Sequence, residues 1–138
     1  MSGAVPRGEV ARRGRGCQTR AMSHGSSIAR TPEPPYYAVI FTSVQTDDLD
    51  GYGETSDRMI ELAAGMPGFL GLEAAREAVG VTVSYWSDLE SIAAWKRQAE
   101  HAIAQGHGRG RWYRSYATRI ARVERDYSFE KADEPTLP

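Results

Sequence analysis

His101 is the side chain in this sequence best suited to moving a proton near neutral pH, since an unperturbed imidazole titrates there. Against an aromatic substrate it would accept a phenolic proton or hold the anion that results. Trp95 precedes it by six residues, which at about 100° each leaves His101 about 120° from the Trp95 direction on a helix, so the two need not line one cavity. Each has a plainer reading. Trp95 shares an apolar stripe with Ile92 and Ala99, and His101 would also suit a solvated helix surface.

Other constellations have simpler explanations than chemistry. Arg109, Arg111 and Arg114 interleave with Trp112, Tyr113 and Tyr116, a mixture that would stack on bases and neutralise phosphates. Against this, residues 35–138 carry 11 basic and 16 acidic side chains, so no nucleic-acid partner is expected. Asp47, Asp48 and Asp50 precede a helix, where the dipole favours acids. Glu73, Arg76 and Glu77, and the run Arg119, Arg122, Glu124, Arg125 and Asp126, read as cross-strand charge pairs. Gly106-x-Gly108-x-Gly110 follows a helix rather than a strand and lacks the context of a phosphate loop. Cys17 is the one cysteine, so neither an intrachain disulfide nor a cysteine metal cluster is expected, in keeping with a reducing cytoplasm.

The elements that must position these residues are legible. Residues 1–35 hold six arginines against two glutamates (Arg30 and Glu33 the last of each), few large apolar side chains and a PEPP run at 32–35. Such a segment buries too little to offset its ordering entropy and is predicted disordered. Met22 raises the expectation that the natural start lies there. Tyr36–Val44 is apolar on both alternating sets, the pattern of a central strand. A helix follows on Tyr52, Thr55, Met59, Leu62 and Met66, stopped by Gly65 and Pro67. A second strand runs over 68–77 and turns at Ala78-Val79-Gly80 into a third, which ends at Trp86. Ser87 and Glu90 form a predicted capping box for a helix over 88–105. The last strand is predicted over 117–129, with a polar tail at 131–138. No run of about 18 apolar residues exists to span a membrane.

The order β-α-β-β-α-β predicts an α+β, ferredoxin-like domain over 36–130, with a four-stranded antiparallel sheet and both helices on one face. The other sheet face would remain apolar and bare, and about 95 ordered residues make a small core, so a homodimer stacked through that face is expected.

MPGFLGLEAAR at 66–76, VTVSYWSDLESIAAWKRQAEH at 81–101, AQGHGRGRWYRSY at 104–116 and ARVERDYSF at 121–129 together resemble the antibiotic biosynthesis monooxygenase superfamily of dimeric α+β barrels. The resemblance covers about residues 36–130. It implies a cofactor-independent monooxygenase acting on an aromatic phenol or quinol, with Trp95 lining a pocket between helix and sheet. Tyr85 and Phe41 would complete the apolar wall, and His101 would be the catalytic proton acceptor. The alternative is a non-catalytic dimeric module that binds a small hydrophobic ligand or a partner protein. Haem degradation fits less well: the haem branch carries an axial histidine about three turns after the helical tryptophan and an asparagine on the first strand. Here Gln105 stands ten residues after Trp95, His107 falls in the glycine run, and 36–44 holds no asparagine.

Overall fold

The computed structural model describes residues 28–105 and 108–132. The elements are β1 (Tyr36–Gln45), α1 (Tyr52–Ala64), β2 (Phe69–Arg76), β3 (Gly80–Trp86), α2 (Leu89–Gln105), a short α3 (Gly108–Trp112) and β4 (Tyr113–Val123). The four strands make one antiparallel sheet in the order β2-β3-β1-β4. This is the ferredoxin-like arrangement expected from the element order, with α3 added. β1 lies between β3 and β4, which explains why both of its alternating sets are apolar.

Two rows of paired residues cross the sheet near its ends. Tyr37 pairs with Trp86 and Trp86 with Phe69; further along, Ser43 pairs with Gly80 and Gly80 with Arg76. The helices pack over the face that carries the first row, where Trp86, Ile92 and Ala63 form a buried core against Tyr37, Val39, Met66, Phe69 and Trp95. Trp86 is fully buried, and its indole N–H donates to Ser84 Oγ at 2.9 Å, so the ring brings no unsatisfied donor into the core.

The last strand begins four residues earlier than the sequence pattern suggests and ends at Val123 rather than at 129. Trp112 and Tyr113 are buried, Trp112 Nε1 donates to Asp50 O at 2.8 Å, and Thr46 N donates to Trp112 O at 2.9 Å. Those anchors start the pairing with Tyr113 opposite Gln45, and it runs out where Val123 reaches Tyr36, the first residue of β1. The rings of Trp112 and Tyr113 are thereby committed to packing rather than to stacking on bases.

The cap of α2 is one residue later than Ser87. Asp88 Oδ1 accepts the Ser91 N–H at 2.7 Å, while Ser87 N donates to Gly68 O at 2.8 Å and so still belongs to the strand layer. Gly68 has φ +86°, and a β-carbon on it would lie 2.8 Å from Ser91 Cβ and 2.9 Å from Ser87 Oγ. The glycine of Pro67-Gly68-Phe69 is therefore required twice, by its left-handed backbone and by the helix cap above it.

The outer sheet face is partly covered by the chain's own ends. Ala29 N donates to Glu73 Oε2 at 3.0 Å, and a β-carbon on Gly71 would come within 2.9 Å of Ala29 Cβ. Tyr85 donates to Glu73 Oε1 at 2.7 Å, Tyr36 donates to Asp126, and Thr31 Oγ1 donates to Tyr36 Oη at 3.0 Å. Residues 28–31, part of the segment predicted disordered, are thus tied to the sheet through a backbone amide and a hydroxyl that composition does not register. Residues 1–27, with Met22 and Cys17, and residues 133–138 lie outside the described residues. Of the charged residues read as cross-strand pairs, Glu73 and Asp126 accept from phenols, Arg76 donates to Ser43, and Arg122 bridges Glu124 on its own segment at 3.2 Å. Among the described residues no helix is long and apolar enough to cross a membrane.

Candidate functional site

Between the helices and the sheet lies a cleft of about 820 Å³. α2 contributes Ile92, Trp95, Lys96, Ala99, Glu100 and Ile103, which recur at helical spacing along one face. α1 contributes Tyr52, Ser56, Met59, Ile60 and Ala63 by the same periodicity. The floor comes from alternate residues of the sheet, Val39 and Phe41 on β1, Thr82 and Ser84 on β3, and Leu72, Ala74 and Arg76 on β2. Tyr116, Thr118 and Ile120 of β4 complete it. Ala63, Ala74, Thr82, Ser84 and Ala99 are small, which leaves space between the larger side chains. The volume falls within the range that holds small organic ligands.

The two ends differ in chemistry. At one, Trp95 stacks on Trp86 with ring centroids 6.0 Å apart, and Phe69 meets Trp86 edge-on at 5.3 Å. At the other, Phe41 lies 5.6 Å from Tyr113 and 5.3 Å from Tyr116, with Tyr52 at 6.1 Å from Tyr113. Burial pushes the Tyr113 phenol well above its usual range, helped by Tyr52, while the Arg76 charge acts in the opposite direction. Tyr113 is therefore a hydroxyl donor at any physiological pH. Arg76 joins this end from β2, where it donates through Nη1 to Ser43 O at 3.4 Å and through Nη2 to Ser43 Oγ.

Of the four residues singled out from sequence, Trp95 and Phe41 line the cleft. Tyr85 does not: it pairs with Ala38, on the opposite parity from Val39 and Phe41, and its hydroxyl goes to Glu73 on the outer face. His101 is exposed and lies outside the cleft wall, whereas Glu100 and Ile103 beside it are on the wall. The helical arithmetic that separated His101 from Trp95 by about 120° describes this arrangement. His107 lies outside the described residues. Among the described residues no group of His, Cys, Asp and Glu is arranged to hold a metal ion.

Arg76, Lys96, Glu100 and Tyr113 are cleft residues that sequence reasoning missed. A signal for Arg76 was present. It follows Leu72 and Ala74 at period 2, so it is a charge on the helix-facing side of β2, and Gly80 is its partner across the hairpin. Lys96 and Glu100 follow Trp95 by one and five residues, on the flanks of its face.

A family model described as antibiotic biosynthesis monooxygenase matches residues 35–106. The uncharacterized protein YqjZ of Bacillus subtilis (strain 168) is 52% identical over 106 residues, covering 75% of this chain and 93% of the relative. Among solved structures, a protein of unknown function from Nitrosomonas europaea superposes with a TM-score of 0.52 at 14% identity, covering 72% of this chain and 97% of the other. SnoaB, a cofactor-independent oxygenase from Streptomyces nogalater, superposes with a TM-score of 0.50 at 10% identity, covering 71% of this chain and 100% of the other. At such identities the two structures speak for the fold alone.

Proposed function

The chain belongs to the antibiotic biosynthesis monooxygenase family, and we propose that it is a cofactor-independent monooxygenase that oxidises an aromatic phenol or quinol in the cleft between helices and sheet. The observation that supports this reading is the cleft itself: about 820 Å³, aromatic at both ends, with Trp95 on its wall. A flat ring enters such a space by burying apolar area on Trp95, Leu72 and Ile92. The electron balance needs no external reductant. A phenol loses its hydroxyl proton, the ring carbon of the resulting anion reduces O2, one oxygen atom stays on that carbon, and the other leaves as water with a quinone as product. The protein orients the ring, excludes water and favours the anion. In this reading Lys96 supplies positive charge on the wall and Glu100, which lines the cleft where His101 does not, receives the proton.

The experiment is O2 uptake with a panel of naphthols and naphthohydroquinones. Wild type is expected to consume O2 above the buffer rate with at least one of them, Trp95→Ala to lose about 10-fold or more in kcat/KM, and His101→Ala to remain close to wild type. Haem titration is expected to give no Soret shift. No turnover across the panel, with ligand binding retained, would leave a binding module. One observation favours that second reading: among the described residues, the buried part of the cleft wall, Ala63, Ser84, Ile92 and Tyr113, offers no carboxylate or imidazole.

The same proposal includes a homodimer through the outer sheet face. Ile40, Thr42, Val83 and Tyr85 are half-buried there and Val81 is exposed, while Tyr127 and Phe129 stand almost fully exposed beyond β4. Light scattering behind size exclusion is expected to return twice the chain mass; a monomer at micromolar concentration removes this part.

A further inference from the structure

Ser84 is 6% exposed and lines the cleft in a row that crosses the sheet as Leu72, Ser84, Val39 and Ile120. Its neighbours in that row are aliphatic. Its Oγ accepts the Trp86 indole N–H at 2.9 Å, which occupies one lone pair. A serine hydroxyl also has one proton to give, and among the described residues no acceptor holds the Ser84 proton. A buried donor without an acceptor is costly, and accepting the indole hydrogen bond polarises this hydroxyl into a stronger donor. Trp95 stacks on the same Trp86 ring, so the unused donor lies at the tryptophan end of the cleft.

We infer that the Ser84 hydroxyl is a ligand-binding group, which donates to an oxygen carried on the aromatic ring of the bound molecule and holds that ring along Trp95. A neutral donor sorts ligands by whether they return an acceptor. A ring oxygen satisfies the buried hydroxyl, whereas a hydrocarbon of the same shape leaves it unpaired, and such sites reject the deficient analogue. The bond becomes charge-assisted when the oxygen is a phenolate, so Ser84 also favours the anion on which the proposed reaction depends. Thr82 is the next inward-facing residue of β3, roughly 7 Å along the strand at about 3.3 Å per residue. It is only half-buried, so its hydroxyl is the weaker candidate and the natural control. The inference deepens the function proposed above and rests on it only for the cleft being where ligand binds.

The test uses 2-acetylnaphthalene and its hydrocarbon isostere 2-isopropenylnaphthalene, with equilibrium dialysis for affinity and the infrared carbonyl stretch of the bound ketone for the bond itself. In wild type the stretch is expected to lie to the red of its position in hexane. Ser84→Ala is expected to remove that shift and to lower the ratio of ketone to hydrocarbon affinity by about 10-fold, while Thr82→Val leaves both as in wild type. A carbonyl at its hexane position in wild type, a ratio unchanged by Ser84→Ala, or no binding of the ketone up to its solubility limit overturns the inference. The wild-type spectrum decides the matter even where Ser84→Ala, which also deprives the Trp86 indole of its acceptor, does not fold. A red-shifted bound ketone without O2 uptake on any phenol leaves this subsite standing and removes the oxygenase; O2 uptake with an unshifted carbonyl does the reverse.

Discussion

The rings of Trp86 and Trp95 stack with centroids 6.0 Å apart and planes 25° from parallel, although one belongs to the sheet and the other to the helix above it. Trp86 is sealed in the core and Trp95 is half-buried, so a single stack joins the interior to the cleft wall. Removing each ring has a different cost. Trp86→Ala leaves a full cavity and is expected to destabilise by about 3–5 kcal/mol. Trp95→Ala opens onto the cleft and loses the stack with only part of a core burial, about 2 kcal/mol. Urea denaturation separates the two, and equal losses would mean that Trp95 is a plain core residue.

Gly68 beneath the cap of α2 gives a second expectation. Gly68→Ala forces a β-carbon into a left-handed residue and against Ser91, for a loss of about 2 kcal/mol or more. Gly53 in α1 has nothing within 4 Å of its missing β-carbon, so Gly53→Ala is expected to stabilise by about 0.5–1 kcal/mol. Melting temperatures that move in the same direction for both variants would contradict these roles.

The cap itself makes a pH prediction. The Asp88 carboxyl lies below its ordinary value of 3.8, first because the Ser91 N–H donates to its charged form. A carboxyl with a lowered folded pKa binds protons more readily when the chain is unfolded. Its contribution is therefore complete above the unfolded value and is lost as pH falls below about 4 through the folded value. Asp88→Asn retains an acceptor but not the charge. The difference in thermal stability between wild type and Asp88→Asn is expected to be flat from pH 5 to 7 and to shrink below pH 4; a difference that persists at pH 2 argues against the charge.

Tyrosine ionisation supplies a fourth. Tyr85 is held above the ordinary value of 10.0 by burial and then by Glu73, and Tyr113 by burial and then by Tyr52. The unfolded chain releases these protons near pH 10 while the folded chain does not, so their contribution to stability is full below pH 10 and declines above it. Phenolate absorbance during an alkaline titration should show an early step smaller than that of the denatured chain, with the remainder appearing on unfolding. Tyr113→Phe should shrink the late portion, and an unchanged late step would sink the assignment.

Much of this fold was legible because periodicity and punctuation agreed. Tyr36–Val44 alternates without a polar face and lies inside the sheet, and Gly65 and Pro67 end α1 where expected. The errors have a common physical origin, in contacts between residues distant in sequence. Ser87 satisfies the local pattern for a cap, but Gly68 O takes its amide, and Asp88 caps in its place. The start of β4 is set by Trp112 reaching Asp50, 62 positions away. For the site, the family resemblance pointed to Trp95, which lies on the cleft wall, and helical spacing set His101 about 120° away from it. Tyr85 misses the wall because which face of β3 meets the helices depends on pairing with Ala38 and Gly71, which no single strand contains. Arg76 was obscured by its charged neighbour Glu77, which made a cation on the inner face look like one of a solvated pair.

The loop between β1 and α1 is fastened to α3 in two ways. The Thr46 amide and the Trp112 indole make backbone-directed bonds, and Arg111 reaches Asp48 at 3.3 Å and Asp50 at 2.7 Å. Both aspartates are exposed, so salt screens those ion pairs, while the neutral bonds are largely indifferent to it. Leu49, on that loop, and Tyr52, the first residue of α1, both line the cleft. The mouth of the cleft is thus held mainly by neutral fastenings, so its shape in dilute buffer should persist in seawater-strength brine.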